Sequence, residues 1–101
     1  MDPALPESPL NTLRLQARGL YHRVVREYKA RARLNDPEAP WWYRLAQPLG
    51  KLAYREPAQW PLALRELESL RPYLGTARAW RKAYPLARRM IAESPAASAA
   101  P

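Results

Sequence analysis

Side chains able to do acid–base, nucleophilic or metal chemistry are few in this chain and widely spaced. The chain has one histidine, His22, and no cysteine, which excludes disulfides, thiolate metal sites and thiol catalysis. Glu66 and Glu68 are two residues apart, so on a helix they point in different directions and do not form a carboxylate pair. The three glycines stand alone, so there is no glycine-rich loop to cradle phosphate. We expect a protein that is not an enzyme and uses no cofactor, metal ion or small-molecule substrate.

Arginine, in contrast, is abundant. The 101 residues include 17 basic and nine acidic side chains, a formal net charge of +8, and 14 of the 17 are arginine. A planar guanidinium binds two oxygens at once, which suits phosphate and carboxylate groups. A GC-rich genome also favours arginine codons, but codon bias does not explain the excess of base over acid. The composition indicates an anionic partner.

The excess charge is confined to two segments. Residues 10–34 carry a net +6 and residues 76–93 a net +4, whereas residues 35–75 are neutral and residues 1–9 carry −2. Phosphate backbones are the commonest large anions, and binding them releases counterions. The predicted nucleic-acid-binding residues are Arg14, Arg18, Arg23, Arg26, Lys29, Arg31, Arg33, Arg78, Arg81, Lys82, Arg88 and Arg89.

The basic residues of the first segment lie on both sides of an apolar stripe. On a helical wheel, one side of the stripe carries Arg14, Arg18 and Lys29, and the other carries Arg23, Arg26 and Arg33. Glu27 is the one acid within this segment. A basic amphipathic helix also fits a membrane surface, but a domain of this size needs the apolar stripe for its core.

All ten aromatic residues are tyrosine or tryptophan. In the most distinctive run, Trp41 and Trp42 flank the apolar stripe of a predicted helix, while Tyr43 and Tyr54 point away from it. Exposed tyrosines beside arginines stack on unpaired bases, and they also anchor protein interfaces. Trp41, Tyr43 and Tyr54 are therefore candidate stacking or interface residues, with both interpretations open.

Four amphipathic segments position these residues. Leu10 to Leu34 reads as one long helix with Ser8 as N-cap and Pro9 at its first position. Asp36 is the predicted N-cap of a second helix, which Pro48 should kink or split near Gln47.

Pro57 and Pro61 open the third helix, which Pro72 and Gly75 should end. Thr76 is the predicted cap of the fourth helix, which Pro85 should bend. The predicted apolar stripe of the first helix is Leu10, Leu13, Ala17, Leu20, Val24 and Tyr28, and Tyr21, Val25 and Ala32 widen this stripe. The stripe of the second helix is Trp41, Trp42, Leu45, Leu49 and Leu52, and that of the third is Trp60, Leu64, Leu67 and Leu70. The stripe of the fourth helix is Ala77, Trp80, Tyr84, Ala87 and Ile91.

Valine and isoleucine total only three residues, which argues against a sheet. The predicted fold is all-α: a compact bundle of four to five helices with proline-kinked segments over residues 10–93. Residues 1–9 and 94–101 are predicted to be disordered tails. The N-terminus lacks the features of a signal peptide and no apolar run is long enough to span a membrane, so we expect a cytoplasmic protein without membrane insertion.

Taken together, these patterns favour a non-enzymatic module that binds DNA or RNA mainly through phosphates, as an accessory subunit of a larger nucleoprotein complex. The alternative is an adaptor or inhibitor that docks on an acidic protein partner, with the same arginines around aromatic anchors.

Overall fold

The computed structural model describes residues 9–94, and the fold within that range is all-α, as predicted. The helices are α1 (Pro9–Arg33), α2 (Ala39–Tyr54), α3 (Trp60–Leu74) and α4 (Arg78–Glu93), and a 3-10 turn (Pro57–Gln59) leads into α3. There are four α-helices in the described range, the lower of the two predicted numbers, because α2 is not split. Predicted tail residues 1–8 and 95–101 lie outside it.

The four helices form a closed ring. Each helix packs against the next along the chain, and α4 returns to pack against α1. Short connections between successive helices favour antiparallel neighbours, as in other helical bundles. The buried hydrophobic residues of the central core are Leu13, Ala17, Leu20, Val24, Leu45, Ala46, Leu49, Leu52, Ala53, Trp60, Ala63, Leu67, Leu70, Leu74, Trp80, Ala83, Leu86, Ala87 and Met90.

Proline does not break the helices where the sequence suggested it would. Helix α2 continues through Pro48 and α4 through Pro85, and α3 passes Pro72 before it ends at Leu74. The split near Gln47, one of the two effects predicted for Pro48, is therefore a wrong prediction, whereas α3 ends at Leu74 with Gly75 at the C-cap position, as predicted for Gly75. Proline removes a hydrogen bond to the carbonyl four residues earlier. Those carbonyls belong to exposed residues, where water is available as a partner: Arg44, Glu68 and Arg81.

The connection between α1 and α2 is closed by backbone and side-chain hydrogen bonds. Asn35 has a left-handed φ of 55°. The Asp36 amide donates to the Arg31 carbonyl at 2.9 Å, and the Asn35 amide donates to the Ala32 carbonyl at 3.1 Å. This is the Schellman pattern of helix termination. The Asp36 carboxylate then accepts from the Glu38 amide at 2.9 Å within the turn before α2. Glu38, not Asp36, occupies the N-cap position of α2 and no side chain caps it, so the predicted Asp36 cap is wrong.

The ends of α4 differ from the predicted ones. Ala77, not Thr76, occupies the N-cap position, and no side chain caps it, so the predicted Thr76 cap is wrong. Ser94 was assigned to the C-terminal tail but is buried, and its hydroxyl donates to the Ile91 carbonyl at 2.9 Å. The predicted Ser8 cap of α1 lies outside the described residues.

The left-handed conformation of Asn35 leads to a stability prediction. Asn35→Val is expected to lower the free energy of unfolding by about 1–2 kcal/mol, because a β-branched residue is disfavoured in this region. Asn35→Gly is the matched control and should be neutral or slightly stabilising, because glycine adopts positive φ without strain. Urea denaturation followed by circular dichroism measures both variants. Equal free energies of unfolding for the two variants would show that the left-handed conformation of residue 35 does not determine the stability of variants at this position.

Candidate nucleic-acid interface

One concave surface lies between α1 and α4. It has a cavity volume of about 610 Å³. Its apolar floor includes Leu13, Leu20 and Leu86, and Gly19 and Pro85 also line it. Its four charged lining residues are all basic: Arg23, Arg81, Lys82 and Arg89. We call this surface the basic groove.

The period of the α-helix explains why one side of α4 is so basic. Arg78, Lys82, Pro85 and Arg89 follow one another at intervals of four, three and four residues, so they fall on one helical face. A smaller depression of about 210 Å³ contains Arg78 and shares Leu20, Arg23 and Lys82 with the basic groove.

The two depressions therefore adjoin each other, and we call them together the trough. Arg78 and Arg89 are eleven residues apart, about 16 Å along the helix axis. Five of the twelve predicted binding residues line this trough: Arg23, Arg78, Arg81, Lys82 and Arg89.

Arg31 has a different environment from the other predicted binding residues. Its guanidinium lies 2.7 Å from Glu27, 2.9 Å from Asp36 and 3.2 Å from Glu38, and its Cζ is 4.9 Å from the centre of the Trp42 ring. Partial burial opposes the charge, but hydrogen bonds and Coulomb attraction from Glu27 and Asp36 outweigh it and raise the pKa of Arg31. Three carboxylates neutralise the charge of Arg31. Because two of them, Asp36 and Glu38, lie in the turn after α1, these ion pairs connect α1 to that turn.

Glu27 is the one carboxylate lining the trough, at the smaller depression. Its 2.7 Å ion pair with Arg31 offsets its charge only in part, because Arg31 also pairs with Asp36 and Glu38. Two of the remaining acids also have partners on other faces: Glu66 accepts from Lys51 at 3.0 Å and Glu68 from Tyr84 at 3.3 Å. Among the described residues, the trough has five basic side chains against one carboxylate, so its net charge is positive.

The remaining predicted basic residues are divided among three other places. Arg26 and Arg33 are exposed and lie on the outward face of α1, next to the basic groove. Arg88 turns toward the ring of Tyr84, with its Cζ 5.9 Å from the ring centre.

Three further residues lie on the α2 side of α1. The Arg14 guanidinium donates to the Ala53 carbonyl at 3.4 Å, Arg18 lies 5.4 Å from the centre of the Tyr54 ring, and Lys29 lines a groove against α2. The twelve predicted binding residues therefore do not form a single surface. Helices α1 and α4 are neighbours, which a basic surface shared by the two helices requires.

The second large groove lies between α1 and α2 and is aromatic. It has a volume of about 870 Å³ and contains Tyr21, Tyr28, Tyr43 and Tyr54. Tyr43 and Tyr54 are 52% and 51% exposed, as predicted from the helical wheel. The Tyr28 and Tyr43 rings are 5.3 Å apart, and the Tyr21 and Tyr54 rings are 5.7 Å apart. We call this surface the tyrosine groove.

Sequence reasoning missed two of the four tyrosines. Tyr21 and Tyr28 belonged to the predicted apolar stripe of α1, but both are only half-buried. The missed signal was their spacing of seven residues, which places both on the edge of the stripe facing α2. Gly50 allows α2 to approach there, since a Cβ at this position would lie 3.2 Å from the Tyr21 ring.

Trp41 does not belong to the tyrosine groove. Its ring stacks on Tyr73 of α3 with 3.9 Å between centroids and 10° between planes, and Arg44 lies 5.2 Å from its centre. Trp41 therefore joins α2 to α3, and it is half-buried.

Within residues 9–94, no three histidine, cysteine or acidic side chains come together as metal ligands would. None of the helices in this range has both the length and the apolarity needed to cross a membrane. Comparison of the chain with protein-family models, with curated proteins and with solved structures found no match.

Proposed function

We propose that this protein binds nucleic acid, with phosphates seated along the trough between α1 and α4. The observation that carries the proposal is the set of five basic side chains that line these two adjoining depressions. Four are arginines, whose planar donors match phosphate oxygens in pairs. Long basic side chains around an apolar floor contact the backbone and not base edges, so we expect little sequence readout.

The proposed protein is a binding module, not an enzyme. A module that binds phosphates with little sequence readout does not itself select a nucleic-acid site, so another component has to direct it to one. We therefore extend the proposal to an accessory subunit of a larger cytoplasmic nucleoprotein complex, holding DNA or RNA. The competing partner is an acidic protein, which would use the same arginines as rim contacts around aromatic anchors.

Salt dependence of binding tests the proposal. Neutralising five phosphates predicts a slope of about −4.5 for log affinity against log salt on duplex DNA, or roughly a 500-fold loss between about 50 and 200 mM salt. On single strands the expected slope is about −3.5. Fluorescence anisotropy with labelled single- and double-stranded DNA and RNA of equal length measures all four slopes.

The magnitude of the slope distinguishes the two partners. A slope near zero, or no binding to any of the four probes at about 50 mM salt, would refute nucleic-acid binding and leave the acidic protein partner as the better explanation.

A further inference from the structure

The tyrosine groove has features that phosphate binding in the basic groove does not use. It lies on the opposite side of α1, and it combines four aromatic rings with Lys29, Lys51 and Arg55 against a single acid, Glu56. Lys51 is held by Glu66 at 3.0 Å, so Lys29 and Arg55 are the cations that line the groove without a carboxylate partner among the described residues.

Aromatic faces within a basic groove are the combination that binds single-stranded nucleic acid, because every base has a face that stacks and every nucleotide carries a phosphate. We propose that the tyrosine groove binds unpaired bases, so the ligand is a single strand or a single-stranded region. This inference rests on the proposed function, because the basic groove supplies the remaining phosphate contacts.

Tyr43 and Tyr54 are the stacking residues in this arrangement. About half of each side chain is exposed, whereas Tyr21 and Tyr28 are half-buried and support them through ring contacts at 5.7 and 5.3 Å. The Tyr54 hydroxyl also lies 3.0 Å from His22 Nε2, an exposed contact in addition to the ring packing. A tyrosine positioned in this way loses little conformational entropy when a base stacks on it.

The outward face of α1 connects the two grooves. Arg26 and Arg33 are exposed on this face, and Arg18 lies over one face of the Tyr54 ring, with its Cζ 5.4 Å from the ring centre. An α-helix with its side chains is about 10–12 Å wide, so a strand crossing α1 meets cations throughout. A rigid duplex keeps its bases paired and stacked inside, so only an unpaired strand presents bases to the tyrosines.

The double variant Tyr43→Leu with Tyr54→Leu tests the inference on the full chain. Stacking on one aromatic side chain changes affinity by about 5- to 150-fold, so we expect at least a 20-fold loss for a single-stranded oligonucleotide. Affinity for a duplex of the same length should change by less than about 3-fold, because phosphate contacts in the basic groove remain. Anisotropy titrations at one salt concentration give both values.

Two controls separate stacking from other roles. Tyr43→Phe with Tyr54→Phe keeps both rings and removes only the hydroxyls, so it should retain single-strand affinity to within about 3-fold. Tyr73→Leu removes a tyrosine of similar exposure, 56%, outside the groove, and it should leave both affinities unchanged.

The possible results separate this inference from the proposed function. If the leucine variant binds single strands as tightly as the parent protein, or if it loses single-strand and duplex affinity equally, the tyrosine groove does not bind bases. The groove would then be free to dock a protein, and nucleic-acid binding through the basic groove would stand. If the parent protein binds neither probe, both the proposed function and this inference are wrong.

Discussion

Reversing two charges in the basic groove, with Arg81→Glu and Arg89→Glu together, is expected to lower nucleic-acid affinity by about 100-fold or more at low salt. Both side chains are exposed and line the same groove, eight residues apart on α4, or about 12 Å along its axis. The change removes two phosphate contacts and places two carboxylates against the remaining phosphates. The salt slope on duplex DNA should therefore fall from about −4.5 to about −2.7.

The matched control changes the net charge equally but elsewhere. Arg44→Glu with Arg65→Glu alters two exposed residues of α2 and α3 that do not line the basic groove. At about 0.10–0.15 M salt, where charges beyond about 8–10 Å are screened, we expect less than about a 5-fold loss, and the slope should be unchanged. Circular dichroism of both variants checks that each is folded. Equal losses in the two variants would mean that net charge, and not the basic groove, determines binding.

Removing the largest fully buried side chain should have the greatest effect on stability. Trp60 has no exposed surface and lies at the start of α3, with Arg14 5.2 Å from the centre of its ring. Trp60→Ala should cost about 3–5 kcal/mol through lost burial and the cavity it leaves. For a domain with a total of about 5–15 kcal/mol, this is a large fraction of its stability. Urea denaturation measures the change.

A comparison of two phenylalanine variants isolates the polar atom of the indole. The Trp80 indole nitrogen donates to the Leu67 carbonyl at 2.8 Å, whereas the Trp60 indole nitrogen is buried without a partner among the described residues. A buried donor without a partner costs about 1–3 kcal/mol. Trp60→Phe should therefore be less destabilising than Trp80→Phe, by about 1 kcal/mol. If Trp60→Phe were the more destabilising variant, the buried ring area lost at Trp60 would outweigh the hydrogen bond lost at Trp80.

Helical period was a good guide to α1 and a poorer one to α4. In α1, the predicted positions Leu13, Ala17, Leu20 and Val24 are buried, although Ala32 is exposed. In α2 and α3, the predicted positions Leu45, Leu49, Leu52, Trp60, Leu67 and Leu70 are buried, whereas Trp41, Trp42 and Leu64 are only half-buried.

The predicted stripe of α4 was rotated from the real one. Trp80 and Ala87 belong to both stripes, but Ala83, Leu86 and Met90 are buried where Tyr84 and Ile91 were expected. Several rotations of a short alanine-rich helix bury similar apolar area, so the neighbouring helices select among them. The stacking of Tyr84 on Trp80, with 5.1 Å between ring centres, is compatible with the half-buried position of Tyr84.

The local features were determined by the sequence alone: the helical class, the four segments and the concentration of positive charge on the first and last of them. They depend on residue types and on spacings of three and four, which act within one helix. Tyr43 and Tyr54 were likewise correctly placed on the exposed side of α2.

Tertiary structure alone decided which of these residues meet. It placed α4 beside α1, so that Arg23 faces Arg81, Lys82 and Arg89 across one groove. It joined Arg31 to acids on α1 and in the following turn, and it brought Tyr21 and Tyr28 to the tyrosine groove. The physical reason is that spacing along a chain determines the face of a helix, whereas the neighbour of that face depends on how all four helices bury their apolar surface together.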